Sequence, residues 1–459
     1  MRDYFIRRLL LVPITMLGVT LLVFLITRAA PGGPMEKAMM QMQMASEGGG
    51  SSGKQQGGGV DEATIEDYEE EYGYDKPVMI GYLQWLGVWP RERWISKGEF
   101  YQRGEDTLAS PLITDEEKQT TVVLKGIGRE VFVEKNDKEV EKAIFTDTRK
   151  EVSDAGWKVR IENEADRQRR WLRRNQTPAW MFWKEDLALD PPNYSPRAVV
   201  YKTRFSGILQ GDLGKSTAFG EPVWELIKQR IPVALYFGIL TTILTYAVCL
   251  PLGIVKALKH RTFIDNASSI LIFMGYAIPG FALGGLLMTF LAARQGWFPM
   301  FGLDDPALAH LPWYSEERLL DRARHTVLPL LSYLVGSFAY MTMMMKNNLM
   351  DNLAADYVRT AVAKGVNFRR AVFRHALRNS IIPVATTLGQ LVTILVSGSI
   401  LIEKVFDIQG FGLLQLQALE APDIPVIMGT LTIAAFLLVI GNILSDLIVA
   451  MIDPRVKFK

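Results

Sequence analysis

Residues 357–384 read YVRTAVAKGVNFRRAVFRHALRNSIIPV. Val358, Ala361, Val362 and Gly365 recur at helical spacing and predict one face of a short helix. Gly365 permits a turn. Asn367 is a good N-cap for a second helix that carries Phe368, Val372 and Phe373 among Arg369, Arg370 and Arg374. Two short helices about a glycine turn, small and apolar on one side and basic on the other, suit docking into a groove of another protein. The rival is an amphipathic loop lying on lipid. Ala361, Ala363 and Gly365 argue against it, because a lipid-facing helix is better served by bulky Leu, Phe or Trp. The surroundings of the stretch decide its use.

The 459-residue chain is 49% hydrophobic and 22% charged. Both hold because very apolar and very polar parts alternate. With 51 basic and 49 acidic residues the net charge is +2, which gives no argument for nucleic acid. A bilayer core needs about 20 mostly apolar residues in a helix. Stretches 9–27, 233–255, 268–293, 326–345, 381–402 and 425–451 qualify, which makes about six spans. A cleaved signal peptide is the rival for the first. It loses because the apolar run is long and ends at Arg28-Ala29-Ala30-Pro31, a poor cleavage site. Arg2, Arg7 and Arg8, then Lys256, Lys259 and Arg261, then the basic residues of 346–378, then Arg455, Lys457 and Lys459 fall on one side if the spans alternate. The Lys/Arg bias makes that side cytoplasmic, with both termini on it. Segments 30–230, 294–325 and 403–424 then lie outside.

The spans lack an energy source of their own. Ion-driven carriers place carboxylates or histidines near the midplane. Here Asp446 is the only acidic residue in a span, near its cytoplasmic end, and reads as a locally paired carboxylate. His260, His310, His325 and His375 all lie away from the midplane. A proton-coupled carrier is thereby disfavoured. The single cysteine, Cys249, reads as a small buried hydrophobe. The stretch ILQGDLGKS at 208–216 ends like a phosphate loop, but that pattern needs a glycine where Leu209 stands, and the stretch falls outside the cytoplasm. What remains is a pathway without an engine: a passive channel or scaffold with an outer sensing lobe, or a permease driven by a partner. The basic docking loop favours the partner.

At these residues the chain resembles the permease subunits of dipeptide and oligopeptide ABC importers. Residues 359–365, RTAVAKG, look like that family's form of the importer loop motif E-A-A-x-x-x-G, with Arg359 in place of the Glu and Thr360 in place of the first Ala. YGYDKPV at 72–78, GDLGKS at 211–216, LIEKVFDIQGFGLL at 401–414 and DPRV at 453–456 resemble its other motifs. APGGP, LPWY at 311–314 and MMKNN at 344–348 are most similar to Yej-type permeases, a group that imports microcin C and oligopeptides. The resemblance implies an all-α polytopic protein of the type I ABC importer permease fold, in the bacterial cytoplasmic (inner) membrane. It implies a heterodimer with a second permease subunit, two partner ATPase domains holding ATP and Mg, and an extracytoplasmic peptide-binding protein. The chain itself would carry no cofactor or metal, catalyse nothing and pass a peptide substrate inward. ATPase coupling would fall to Tyr357, Val358, Arg359, Thr360, Ala361, Ala363, Lys364, Gly365, Phe368, Arg374, His375 and Arg378. Thr245, Tyr246, Tyr276, Tyr340, Thr393 and Ser397 are polar residues of the spans that either face the pathway or join helices.

The expected organisation is a cytoplasmic segment and first span over 1–30, an extracytoplasmic linker and acidic helix over 31–90, an insertion over 91–204, and a permease core over 205–459. The linker 46–59 is Gly/Ser-rich, and 61–72 is an acidic helix. Within the insertion 121–124 and 130–134 read as a hairpin, 142–146 and 157–161 as further strands, and 162–174 as a charged helix. An α+β lobe of about 100 residues is large enough for a modest core. It either packs its aromatics as a decoration or serves as a cap that docks the binding protein.

Overall fold

The computed structural model describes residues 2–29, 66, 70, 73, 76–104, 107–113, 119–125, 130–135, 138–143, 150–151, 157–175, 190–397 and 399–452. The expected linker at 46–59, the hairpin tip at 126–129, residues 144–146, the aromatic run at 178–183 and the closing DPRV lie outside them. The chain divides into two compact units, Met1–Pro34 with Leu213–Lys459, and Met35–Asp212. The first begins with helix α1 (Arg2–Ala29). Its side chains Leu9, Leu10, Ile14, Leu22 and Ile26 are exposed, as suits a helix whose neighbours are lipid or another subunit.

The unit Met35–Asp212 opens its continuously described part with α2 (Val78–Leu86). Nine strands follow: β1 (Arg91–Glu99), β2 (Tyr101–Gly104), β3 (Thr107–Ile113), β4 (Gln119–Lys125), β5 (Glu130–Lys135), β6 (Lys138–Ala143), β7 (Lys150–Glu151), β8 (Trp157–Glu162) and β9 (Arg197–Arg204). Helix α3 (Glu164–Asn175) stands between β8 and β9 and begins with Glu164 and Asp166, the charge sign that a helix N-terminus favours. One sheet has the order β1-β9-β8-β7, the other β2-β3-β4-β5-β6. The expected hairpin is β4 with β5, antiparallel, with Val122 opposite Val133 and Leu124 opposite Val131. The Ser110 hydroxyl donates to Gly98 O at 2.7 Å and ties β3 to β1.

The interior of this unit is charged as well as apolar. Ala198, Val199 and Tyr201 are buried on β9, and so are Arg197, Glu162 and Glu66. Arg197 Nη2 meets Glu66 at 2.5 Å and Glu162 at 2.7 Å. Arg170 meets Glu162 and Glu70, each at 2.7 Å, and Arg160 joins Glu162 to Glu92. Glu66 and Glu70, both helical, are one turn apart and lie in the stretch read as an acidic helix. Burial pushes the Glu162 carboxyl up, but Arg170, Arg197 and Arg160 outweigh it and hold it well below the usual carboxylate range.

The helical unit continues with α4 (Val223–Leu258) and α5 (Phe263–Ala277). Then come α6 (Gly280–Leu287), extended by a π-helical turn (Met288–Arg294), and α7 (Glu316–Ala354). α8 (Asp356–Ala363) and α9 (Phe368–Ala371) follow, and a π-helical turn (Val372–Ala376) joins α9 to α10 (Leu377–Ser397). The chain ends in α11 (Ile400–Phe406), α12 (Phe411–Glu420) and α13 (Ile424–Ile452). α4 and α7, with 36 and 39 residues, run well past about 30 Å of hydrocarbon at about 1.5 Å per residue. α4 packs along α7, α10 along α13, and α1 along α13.

Among the described residues four helices are long and apolar enough to cross a membrane, and a fifth crossing exists if α5 and α6 count as one. The expected span at 268–293 falls on α5 and α6, which meet at a break and bend by 91°. Pro279 has no N–H to give and drives the residue before it out of the helical region, and Ile278 is extended at φ −95°, ψ 121°. Gly280 then lies so close to α7 that a Cβ there would sit 2.5 Å from Ser332 O. The expected span at 381–402 falls on α10, which stops at Ser397, and α11 starts afresh at Ile400.

The loop before α4 is anchored to the start of α13. Asp423 is fully buried. Its carboxylate accepts from Ser216 Oγ, from Ala218 N at 3.0 Å and from Val426 N at 3.3 Å.

Two outcomes are expected. Glu162→Gln leaves three guanidiniums short of a buried counter-charge and should destabilise the β8–β9 region by about 3–5 kcal/mol, read as faster amide exchange of residues 157–162 and 197–204 in the full chain. Because the folded carboxyl titrates below its ordinary 4.5, its contribution is complete at neutral pH and is lost as pH falls below that value. Asp423→Asn should loosen 214–222, read as new protease sensitivity there in the purified full chain.

Candidate functional site

The basic stretch is a rigid corner between α7 and α10. α8 ends in a Schellman motif: Val366 N donates to Ala361 O at 3.1 Å and Gly365 N to Val362 O at 2.9 Å. This needs the left-handed conformation, and Gly365 has φ +89°. Asn367 caps α9 by accepting from Arg369 N at 3.0 Å. The expected second short helix is instead the first turn of a longer one, because α9, the π turn and α10 follow without a break.

Three side chains fasten the two ends of the corner together. The Tyr357 hydroxyl donates to Asn352 Oδ1 at 2.6 Å and accepts from Asn379 Nδ2 at 3.1 Å. It thus bridges the end of α7 to the start of α10. Val358, Ala371, Val372 and Ala376 are buried. Val358, Ala371 and Ala376 join Cys249, Met345 and Leu349 in one apolar cluster.

The outer side of the corner differs in kind. Val362, Phe368 and Phe373 are 40%, 56% and 57% exposed. Arg359, Thr360, Ala363, Lys364, Gly365, Arg374 and Arg378 are exposed as well, while Ala361 and His375 are half-buried. The predicted set therefore divides. Val358 and Tyr357 hold the corner, and the others on its outer side form a basic surface with apolar knobs. Periodicity missed Val362 as an outward residue. It also named Phe373 without separating it from Val372, although a π turn shifts which residue faces in.

The expected pathway residues are placed differently among the described side chains. Tyr276 and Tyr340 are exposed, Thr245 is buried, and the Tyr246 hydroxyl bonds to Thr387 Oγ1 across α4 and α10. Thr393 and Ser397 lie on α10, but their side chains fall outside the described residues. The GKS loop has no open ring of N–H groups for a phosphate: Ser216 N donates to Glu221 O and Gly220 N to Ser216 O. Asp446 pairs with Arg8. Among the described residues no group of three or more His, Cys, Asp or Glu is placed to hold a metal ion.

The chain is similar to several known proteins. Residues 249–458 match the family described as binding-protein-dependent transport system inner membrane component. The oligopeptide transport system permease protein AppB of Bacillus subtilis (strain 168) is 34% identical over 275 residues, 60% of this chain and 84% of that protein. The inner membrane ABC transporter permease protein YejB of Escherichia coli O157:H7 is 37% identical over 251 residues, 54% of this chain and 68% of that one. The dipeptide transport system permease protein DppB of Escherichia coli (strain K12) is 31% identical, again over 60% and 84%. A solved structure of the MetNI methionine ABC transporter aligns with a TM-score of 0.39 and 16% identity, over 50% of this chain and 97% of that chain. The chain belongs to the family of inner-membrane components of binding-protein-dependent transport systems.

Proposed function

We propose that this chain forms half of the translocation path of an ATP-driven importer of peptides, and that residues 356–379 are where a partner ATPase docks. The observation that carries this reading is the corner between α7 and α10. Its inner side is fixed by Tyr357 and Val358, and its outer side presents Phe368, Phe373 and six basic side chains, Arg359, Lys364, Arg369, Arg370, Arg374 and Arg378. A docking element has to be stiff, or the partner's motion is lost in the loop. Two matched relatives are named for oligopeptide and dipeptide transport, and the reading brings that substrate class to this chain.

In this reading a second, related permease completes the pore, two ATPase domains hold ATP and Mg, and an extracytoplasmic protein delivers the peptide. The core of the coupling face is Arg359, Thr360, Ala363, Lys364, Gly365, Phe368, Arg374 and Arg378, with Ala361 and His375 at its edge. Among the described side chains Tyr276 and Tyr340 are the pathway candidates exposed in the single chain. The Arg8–Asp446 pair puts the start of α1 beside the end of α13, which supports both ends of the bundle lying on one side, and the Lys/Arg bias makes that side cytoplasmic. The unit Met35–Asp212 then lies outside. The passive-channel reading draws no support from the family assignment.

Affinity purification from native membrane in mild detergent should recover a second permease and an ATPase, and recovery of the chain alone in several gentle detergents would overturn the reading. Gly365→Leu forces a branched residue into φ +89° where nothing lies within 4 Å of its Cβ, so the change acts on the backbone and the outer face, not on the core. The variant should reach the membrane and lose at least about tenfold in uptake per ATP hydrolysed, a coupling loss of about 1.4 kcal/mol or more. Wild-type uptake would remove the coupling assignment.

A further inference from the structure

At the ends of α4, α5 and α7 one carboxylate gathers the charges of three chain segments. Asp265 lies in the first turn of α5 and is 2% exposed; Lys256 near the end of α4 is 0% and Lys346 on α7 is 7%. Lys346 Nζ reaches Asp265 Oδ1 at 2.8 Å and Oδ2 at 2.9 Å. Lys256 Nζ lies 3.1 Å from Oδ1. It also donates to Asp265 O, Ser268 Oγ and Ser269 Oγ at 2.8, 2.9 and 2.7 Å. Arg261 N donates to Oδ2 at 3.1 Å from a left-handed backbone, φ +62°. His260 Nδ1 stands 3.4 Å away.

Three buried charges are a poor means of stabilising a fold, since well-packed apolar residues usually serve as well. What such a cluster does well is fix register between elements, because a shift by one residue leaves a buried charge unpaired. Here it fixes the α4–α5 turn against α7. The same α7 ends about two turns further on and leads directly into the corner at 355–379. At its other end α5 is again held to α7, through the close approach of Gly280 to Ser332. α5 is thus clamped to α7 at its start and just past its end.

We infer that Asp265, with Lys256 and Lys346, is a positioning cluster that makes α5 move with α7, so that a push on the coupling corner reaches the α5–α6 bend. This rests on the coupling reading of residues 356–379. Asp265 touches neither substrate nor ATPase in this account and acts through α7.

The test uses the assembled transporter in proteoliposomes, measuring ATPase recovery, ATP hydrolysis and peptide uptake. Asp265→Asn keeps the shape but removes the charge. It should leave the ATPase bound and hydrolysing while uptake per ATP falls at least about tenfold. The double variant Asp265→Lys with Lys346→Asp keeps one carboxylate between two ammoniums and should recover part of that ratio. Uptake per ATP at the wild-type level in Asp265→Asn, with Gly365→Leu uncoupled alongside, overturns the cluster and leaves the coupling corner standing. Wild-type uptake in Gly365→Leu is instead a failure of the coupling reading. If Asp265→Asn does not assemble, Lys346→Gln, at the most exposed member, replaces it. A loss of uptake that only tracks loss of assembled complex, with no recovery in the double variant, also overturns the proposal.

Discussion

Backbone N–H and C=O groups that enter hydrocarbon have no water to turn to, so they must be paired within the protein. The helical unit is arranged around that constraint. α4 and α7 run unbroken past the bilayer thickness despite Pro232, Pro251 and Pro329 inside them. The described bundle breaks sharply at Ile278–Gly280, and it does so against the backbone of α7 at Ser332. Gly280 lies against α7 there, while Ile278 and Pro279 stay exposed on the other side of the bend.

Polar contacts then fix how these helices sit. Tyr246 joins α4 to α10, Asp423 joins the 214–218 loop to α13, and Asp265 joins the α4–α5 turn to α7. They are joints between helices, each a hydrogen bond or ion pair between residues far apart in the chain. The unit Met35–Asp212 uses the same device in a different setting. Arg160 and Arg197 from the sheet and Arg170 from α3 gather around Glu162, beside the buried Ala198 and Val199.

The corner at 355–379 shows how two demands are met by one short stretch. Its inner residues are small or apolar and join the apolar cluster around Met345. Its outer residues are long and basic or aromatic. Hydrogen bonds at Tyr357 and the Schellman turn at Gly365 keep the two sides from exchanging roles. A flexible basic loop would attract a partner equally well through its charge, but it would not transmit a displacement.

Much of this was legible in the residues. Helix-length apolar runs, the glycine turn, the Asn367 cap, the β4–β5 alternation and the charged helix α3 all follow from local chemistry that acts over a few residues. The GKS tail was discounted on its spacing and on its place between the spans. The bend at Pro279 was marked by the proline itself, yet an apolar run through 268–293 concealed it, since hydropathy does not register where a backbone turns. Which of Val372 and Phe373 faces out was beyond periodicity, because a π turn changes the period. The meeting of Lys256, Asp265 and Lys346 was beyond it too. Residues nine and eighty-one positions apart become neighbours only when α4, α5 and α7 pack. The sequence by itself determined that this chain crosses a membrane and carries a basic stretch between two of its helices, because apolarity and charge are properties of residues. Tertiary structure alone decided which charges are buried together and which side of the corner is free, because burial is a property of packed helices.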